Sequence, residues 1–280
     1  MRQRVRCGQG GIALVAVLWI VAALSIVVAS VSRSVTQEVR SVSSARQSVA
    51  GQALGHAAIR LALQELVSRP AKPTAIGTLN VSYRGTEIPV LVSPLNGLVD
   101  LNSAPEALLA HVFRYGGGLA PDAAAALAGA AVQTRSAKDK RGLQIGFESR
   151  EDLLRLPGVD YTLYAKISRL LTADLKGTGR VNPMAAPESV LTVLSAGDPS
   201  NAARIASQRD QGRVGVDTST LNGDFIDGNM TQRFHLQARV QLSGGQWLLV
   251  SQTVDFGGGA GGMSWRTIHS EHALEPLPAQ

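Results

Sequence analysis

From residue 12 to residue 31 the chain reads IALVAVLWIVAALSIVVASV, twenty positions with no charge and only two serines. As a helix rising about 1.5 Å per residue, this stretch spans roughly the 30 Å of a bilayer's hydrocarbon core. It predicts a membrane-spanning helix or a signal. Beyond it the apolar positions keep a helical rhythm: Val28, Val31, Val35, Val39, Val42, Ala45, Val49, Ala53, Ala57 and Leu61, with Arg33, Glu38, Arg40, Arg46 and Gln52 between them. One continuous helix from about 12 to 69 is the simplest reading, stopped by Pro70 and Pro73. The alternative is a single-pass anchor followed by a separate soluble helix. Gly51 and Gly55 each cost roughly 1 kcal/mol of helix propensity and would allow a bend.

The period then changes from helix to strand. Residues 78–83 (TLNVSY) and 87–93 (EIPVLVS) predict a hairpin turning at Arg84-Gly85, and residues 97–101 (GLVDL) a third, short strand. Helical patterning returns at Ser103-Ala104-Pro105-Glu106, which predicts a serine N-cap, a proline in the first turn and a glutamate three residues after the serine. Residues 121–133 form an alanine-rich segment that again opens with proline, and the polar, basic residues 134–146 predict a loop. Residues 147–172 predict a helix-hairpin-helix. Ser149 caps a helix holding Leu153, Leu154 and Leu156, Pro157-Gly158 turns the chain, and Tyr164, Ile167, Leu170 and Leu171 make the next apolar face.

A weak internal repeat brackets this helical region. The segments 97–106 and 179–188 share glycine, valine, alanine, proline and glutamate at corresponding places. They read either as a duplicated unit or as two similar capping solutions. Strand patterning resumes at 234–242 and 246–256 around Ser243-Gly244-Gly245, with residues 264–270 as an added edge strand and 274–280 as a loose tail.

Composition narrows the function classes. The 280 residues are 45% hydrophobic and 17% charged, enough apolar content for a sizeable core. The formal charge is +6, but Arg2, Arg4 and Arg6 supply half of it, so nucleic acid or an acidic partner is not implied by charge alone. Those arginines precede the apolar run and suit a cytoplasmic N-terminus, although Arg33, Arg40 and Arg46 on the far side weaken the asymmetry. A single cysteine, Cys7, excludes an intrachain disulfide and a cysteine metal cluster.

The start of the chain carries the most specific signal. Gly10-Gly11-Ile12-Ala13-Leu14-Val15 follows a short basic leader and opens an apolar helix with an amphipathic extension. It resembles the processing site of type IV pilins and type II secretion pseudopilins. The resemblance implies that a prepilin peptidase cuts after Gly11 and methylates Ile12, the first residue of the mature chain. Most members of that family carry a glutamate as the fifth mature residue; here it is Ala16. A carboxylate at that depth is costly without a partner, and the family uses it to meet the amino terminus of a neighbouring subunit. The K-class minor pseudopilins lack it, and they carry a helical domain inserted into the pilin sheet.

This resemblance implies an α+β fold: a long N-terminal transmembrane and amphipathic helix packed on a small antiparallel, pilin-like sheet, with an inserted all-α helix-hairpin-helix-like domain. The expected division is a cleaved leader at 1–11, a transmembrane half at 12–31, amphipathic helix and first strands at 32–102, the insertion at 103–178, and the rest of the sheet domain at 179–280. It implies a minor pseudopilin at the tip of a type II secretion pseudopilus, anchored by a single pass in a bacterial inner membrane with its C-terminal domain in the periplasm. I-class and J-class minor pseudopilins are its expected partners.

Catalytic chemistry is not indicated. The sequence has no Walker-type phosphate loop, HExxH or GxSxG, and His56, His111, His235, His269 and His272 are scattered. The expectation is an assembly protein that is not an enzyme and requires no cofactor. Asp224, Asp227 and Asn229 in GDFIDGN offer hard oxygens to a structural calcium ion, although not at EF-hand spacing, and a solvated turn is the alternative. The competing function is a membrane-anchored DNA-binding protein working through the helix-hairpin-helix. Against it, Asp160 stands where such hairpins use a second glycine beside the phosphate.

Overall fold

The computed structural model describes residues 10–138, 140–175, 177–213, 215–243, 245–257 and 264–275, with the helical backbone alone for 10–14 and 26–41. The fold is α+β. A single unbroken helix, α1 (Gly10–Ser68), precedes a five-stranded antiparallel sheet made of β1 (Gly77–Tyr83), β2 (Thr86–Pro94), β5 (Arg233–Gln241), β6 (Trp247–Asp255) and β7 (Arg266–Leu274) in the order β1-β2-β5-β6-β7. Arg84 and Gly85 turn the first hairpin with φ of +51° and +78°, the two positive values that a type I′ turn needs. Pro89 sits in β2 without breaking the sheet. It pairs only with Asn80 of β1, because the ladder to β5 begins at Val90.

Only the last third of α1 lies on the sheet, and it does so by an unexpected face. Ala58, Ile59, Ala62, Leu63 and Leu66 are fully buried against Ile88, Val90, Val92, Phe234, Leu236, Val250 and Val254. Burying Ile59, Leu63 and Leu66 contributes about 2 kcal/mol each. The stripe read from sequence, Val42, Val49 and Ala53, is on the opposite side of the helix and exposed, Val49 by 65%. Gly51 and Gly55 explain the choice. A Cβ on Gly51 would lie 2.6 Å from Leu242 Cδ2, and one on Gly55 would lie 2.5 Å from Val250 Cγ2. These glycines let backbone approach sheet and introduce no break in α1, which runs as the one continuous helix the sequence predicts.

The chain between Pro94 and Arg233 forms a second core. It contains α2 (Glu106–His111), α3 (Pro121–Ser136), α4 (Tyr161–Ile167), α5 (Glu188–Leu194) and α6 (Pro199–Asp210), with the two-residue strands β3 (Val99–Asp100) and β4 (Leu171–Thr172) paired in parallel. The third strand anticipated beside the first hairpin is therefore β3, and it joins β4 inside the insertion. Packing also continues past residue 178, where the sequence reading returned the chain to the sheet domain. Val181, Val190, Leu191, Ile205, Leu221 and Phe225 are buried with Val99, Leu109, Phe113 and Leu171.

This second core is built from two corresponding halves. Val99 bridges Leu171 in parallel, and Val181 bridges Ile226 in parallel. The two glycines lock the halves reciprocally: a Cβ on Gly97 would fall 1.9 Å from the Ala185 carbonyl oxygen, and one on Gly179 would fall 2.1 Å from the Ser103 carbonyl oxygen. Ser103 and Ala185 occupy the same place in the two segments, so each half packs its glycine into the other's turn. The second helix of each half starts with proline and ends with an arginine that reaches back. Arg135 donates to the Leu101 and Ala104 carbonyls at 3.0 and 2.7 Å, and Arg209 donates to the Ala186 carbonyl at 2.5 Å. The repeat is thus a duplicated unit. Ser103, expected to cap α2, instead donates its hydroxyl to Asp100 Oδ2 at 2.5 Å, and α2 begins behind Pro105 with no side-chain cap.

Candidate assembly site

The two ends of the molecule are chemically distinct. Gly51 of α1 meets Leu242 and Leu248 at the β5–β6 turn, and from there α1 continues toward its N-terminus free of the sheet. Along residues 15–25 every described side chain is exposed, including Val15, Val17, Leu18, Ile20, Val21, Leu24 and Trp19, the last by 73%. A helix apolar on all sides and covered by no other described residue calls for apolar surroundings. Ser25, the polar group in this stretch, donates its hydroxyl to the Val21 carbonyl at 2.7 Å, which satisfies it within the helix. Ala16 is exposed on this segment. Of Gly11 and Ile12 only the helical backbone is described, and the leader before Gly10 lies outside the described residues. Among the described residues no helix is long and apolar enough to cross a membrane. The expected span 12–31 falls partly on residues whose side chains are not described.

The insertion occupies the other end of the sheet, where β2 ends and β5 begins. Sequence alone did not indicate how it is held there. Arg233, buried at the head of β5, pairs with Asp255 of β6 at 2.9 Å and also donates to the Asp174 carbonyl at the end of the first half. Asp174 in turn meets His269 of β7 at 3.2 Å, while Asn182 donates to the Thr74 carbonyl at 2.7 Å and Ile76 N–H donates to the Met184 carbonyl. The joint therefore grips both halves. The partners lie far apart in sequence, so the available clue was Arg233 opening a strand whose alternate positions are apolar.

The helix-hairpin-helix forms with modified geometry. Ser149 and Asp152 make a reciprocal capping box, but the helix that follows (Arg150–Arg155) is 3-10 in winding. Gly158 turns the chain at φ +94°, and the Asp160 carboxylate accepts from Leu163 N–H at 2.7 Å at the start of α4. That carboxylate occupies the helix N-terminus a phosphate would need, which disfavours nucleic acid here. Tyr161 beside it is 80% exposed.

The loop carrying Asp224, Asp227 and Asn229 has internal partners. Asp227 Oδ2 accepts from Thr178 Oγ1 at 2.6 Å and from Asn229 Nδ2 at 2.8 Å, while Asp227 Oδ1 accepts from Asn229 N–H at 3.2 Å. Asp224 is exposed and its N–H donates to Asn222 Oδ1. Asp227 and Asn229 border a cavity of about 280 Å³ at the joint with Arg233 and Asp255, and Asp224 does not line it. Among the described residues no three His, Cys, Asp or Glu side chains are grouped to hold a metal.

Asp100 and His235 are among the groups whose ionisation burial shifts. Burial pushes the Asp100 carboxyl up, against hydrogen bonds from Ser103 and from the N–H groups of Asn102 and Gly177. Burial pushes His235 of β5 down, with Glu271 and Arg150 as the nearby charges. Asp100 bonds within its own turn and His235 bonds Thr253, so both are explained by packing.

No family model matches the chain, and no curated protein matches it. In structure it is similar to a chain of the GspK-GspI-GspJ complex from the type 2 secretion system of enterotoxigenic Escherichia coli. The two are 16% identical with a TM-score of 0.49, over 86% of this chain and 100% of that one.

Proposed function

We propose that this chain is a minor pseudopilin of the K class, held by α1 in a bacterial inner membrane and seated at the tip of a type II secretion pseudopilus. There it initiates or caps assembly for the export of folded proteins across the outer membrane, acting by assembly and not by catalysis. The observation that supports this best is the placement of a bulky two-part insertion at the end of the sheet remote from the uncovered apolar segment of α1. Such a domain would obstruct a subunit stacked above it and is accommodated where nothing follows. The sequence adds Gly11-Ile12 as a cleavage junction and Ala16, which offers no carboxylate to the amino terminus of a subunit above. I-class and J-class partners would dock on the exposed face of α1 around Val42 and Val49.

Intact mass of the membrane-extracted protein tests the reading. A mature chain beginning at methylated Ile12 is expected, and Gly11→Leu should leave the precursor uncut; an intact Met1 terminus would reject it. In-cell cross-linking tests the position. Contacts with minor pseudopilins at low copy number are expected, whereas recurrence along the shaft at the abundance of the major subunit would overturn the tip assignment.

A further inference from the structure

The two edges of the five-stranded sheet are unequal. On β1, Val81 enters the core under α1. On β7, eight of nine residues are exposed and the ladder to β6 leaves the other side unpaired among the described strands. A nine-residue edge with free backbone groups is a template for a further strand. Its flanks supply selectivity. His272 pairs across from Val250, whose side chain meets Gly55, and Ser270 pairs across from Gln252, which bonds His56 at 3.1 Å. His272 and Ser270 therefore stand on the α1 side of the sheet, next to His56, with Arg60 one helical turn farther along α1.

This corner is basic. His56 is held below the ordinary histidine range by burial and by the nearby Arg60 and His272, and none of the three makes an ion pair among the described residues. The groups facing His56 are Arg60 of α1, His272 of β7 and the neutral Gln252 of β6. The acid on β7, Glu271, pairs across from Ser251 on the other face, where it neighbours His235 and Tyr164.

We propose that β7 receives an extended acidic segment of a partner protein as a sixth strand, its carboxylates on the α1 side opposite Arg60, His56 and His272. Backbone pairing supplies the affinity and alternate side chains the selectivity, because successive residues of an added strand point to opposite faces. Acid binding favours the protonated form of His56, so the complex tightens as pH falls toward the lowered range of that imidazole. The inference does not rest on the secretion reading, since it needs only the free edge and its basic flank.

The test uses the full chain in detergent and two nine-residue peptides, one alternating Val with Glu and the other alternating Val with Lys. Fluorescence anisotropy at low salt should give the Glu peptide about tenfold tighter binding than the Lys peptide, with amide exchange slowed along β7. The double variant R60E/H272E, whose changes lie at exposed positions, should reverse the preference while leaving thermal unfolding near that of the parent chain. No binding of either peptide at millimolar concentration, equal binding of both, a preference unchanged by R60E/H272E, or protection on β1 in place of β7 would each overturn the proposal.

Discussion

The two halves of the insertion share a backbone plan but differ in what fills it. Asp100 and Asn182 stand at the same place, each accepting from the N–H two residues on, and both are buried. One is an ionisable acid and the other its neutral isostere. Ser103, which bonds Asp100, corresponds to Ala185, which has nothing to donate. His111, packed edge-on against Tyr115 and Phe225, corresponds to buried Val193. At the start of the second helices, α6 is capped by Asp198, which accepts from Ser200 and Asn201, whereas α3 follows Ala120 with no side-chain bond. What stayed common is what the backbone requires: the reciprocal glycines, the prolines that open helices, and the arginines that satisfy carbonyls in the turn. Polar identity within the frame was free to drift.

The glycines should give the largest effect. Gly97→Ala and Gly179→Ala each drive a methyl into backbone of the opposite half, and Gly179 also holds φ +81°. A loss of about 3 kcal/mol or more is expected for each in chemical denaturation, Gly179→Ala being the worse. If one substitution were tolerated, the reciprocal lock would be absent on that side.

The arginines come next. Arg209 keeps only 7% of its side-chain surface exposed and Arg135 is half-buried, so Arg209→Ala should cost about 2 kcal/mol and Arg135→Ala about 1 kcal/mol, read from denaturation midpoints. The reverse order would mean that the two turns differ in their need for a donor.

Asp100→Asn makes the first half resemble the second and should change the pH dependence more than the stability at one pH. Because the folded Asp100 carboxyl is raised, the folded chain binds this proton more tightly than the unfolded chain does. The resulting stability is complete below the ordinary carboxylate pKa and is lost as pH rises through the raised folded value. The parent chain should weaken across that window more steeply than Asp100→Asn, measured as melting temperature against pH. Equal slopes would show that burial of Asp100 does not govern the titration.

The smallest effect concerns the caps. Ala120→Asp, which copies Asp198 onto α3, should stabilise by about 0.5 kcal/mol, and Asp198→Ala should destabilise by about 1 kcal/mol in the same denaturation measurement.

Much of this fold was legible because its signals are local. The Arg84-Gly85 hairpin, the proline start of α3, the Ser149 cap and the length of α1 each follow from neighbours within a few residues. The repeat was visible at Gly97 and Gly179, but its meaning was not, since the contact that explains it runs between segments about eighty residues apart. For the same reason Ser103 looked like a cap. Its hydroxyl had two possible acceptors nearby, and only the buried turn around Asp100 decided between them.

The assembly site divides in the same way. Sequence by itself determined the uncharged run at 12–31, the Gly11-Ile12 pair at its start and the alanine at position 16, because the order of residues states them directly. It could not choose which face of α1 meets the sheet. A stripe of valines gains from burial, but a helix packs where its backbone can come closest, and Gly51 and Gly55 outweighed Val49 and Ala53. Tertiary structure alone decided that the valine stripe stays exposed, that Arg233 and Asp174 fix the insertion to the far end of the sheet, and that β7 is the edge of the described strands beside a basic corner. Each depends on surfaces brought together from distant parts of the chain, where shape and charge are set jointly and neither segment specifies the outcome alone.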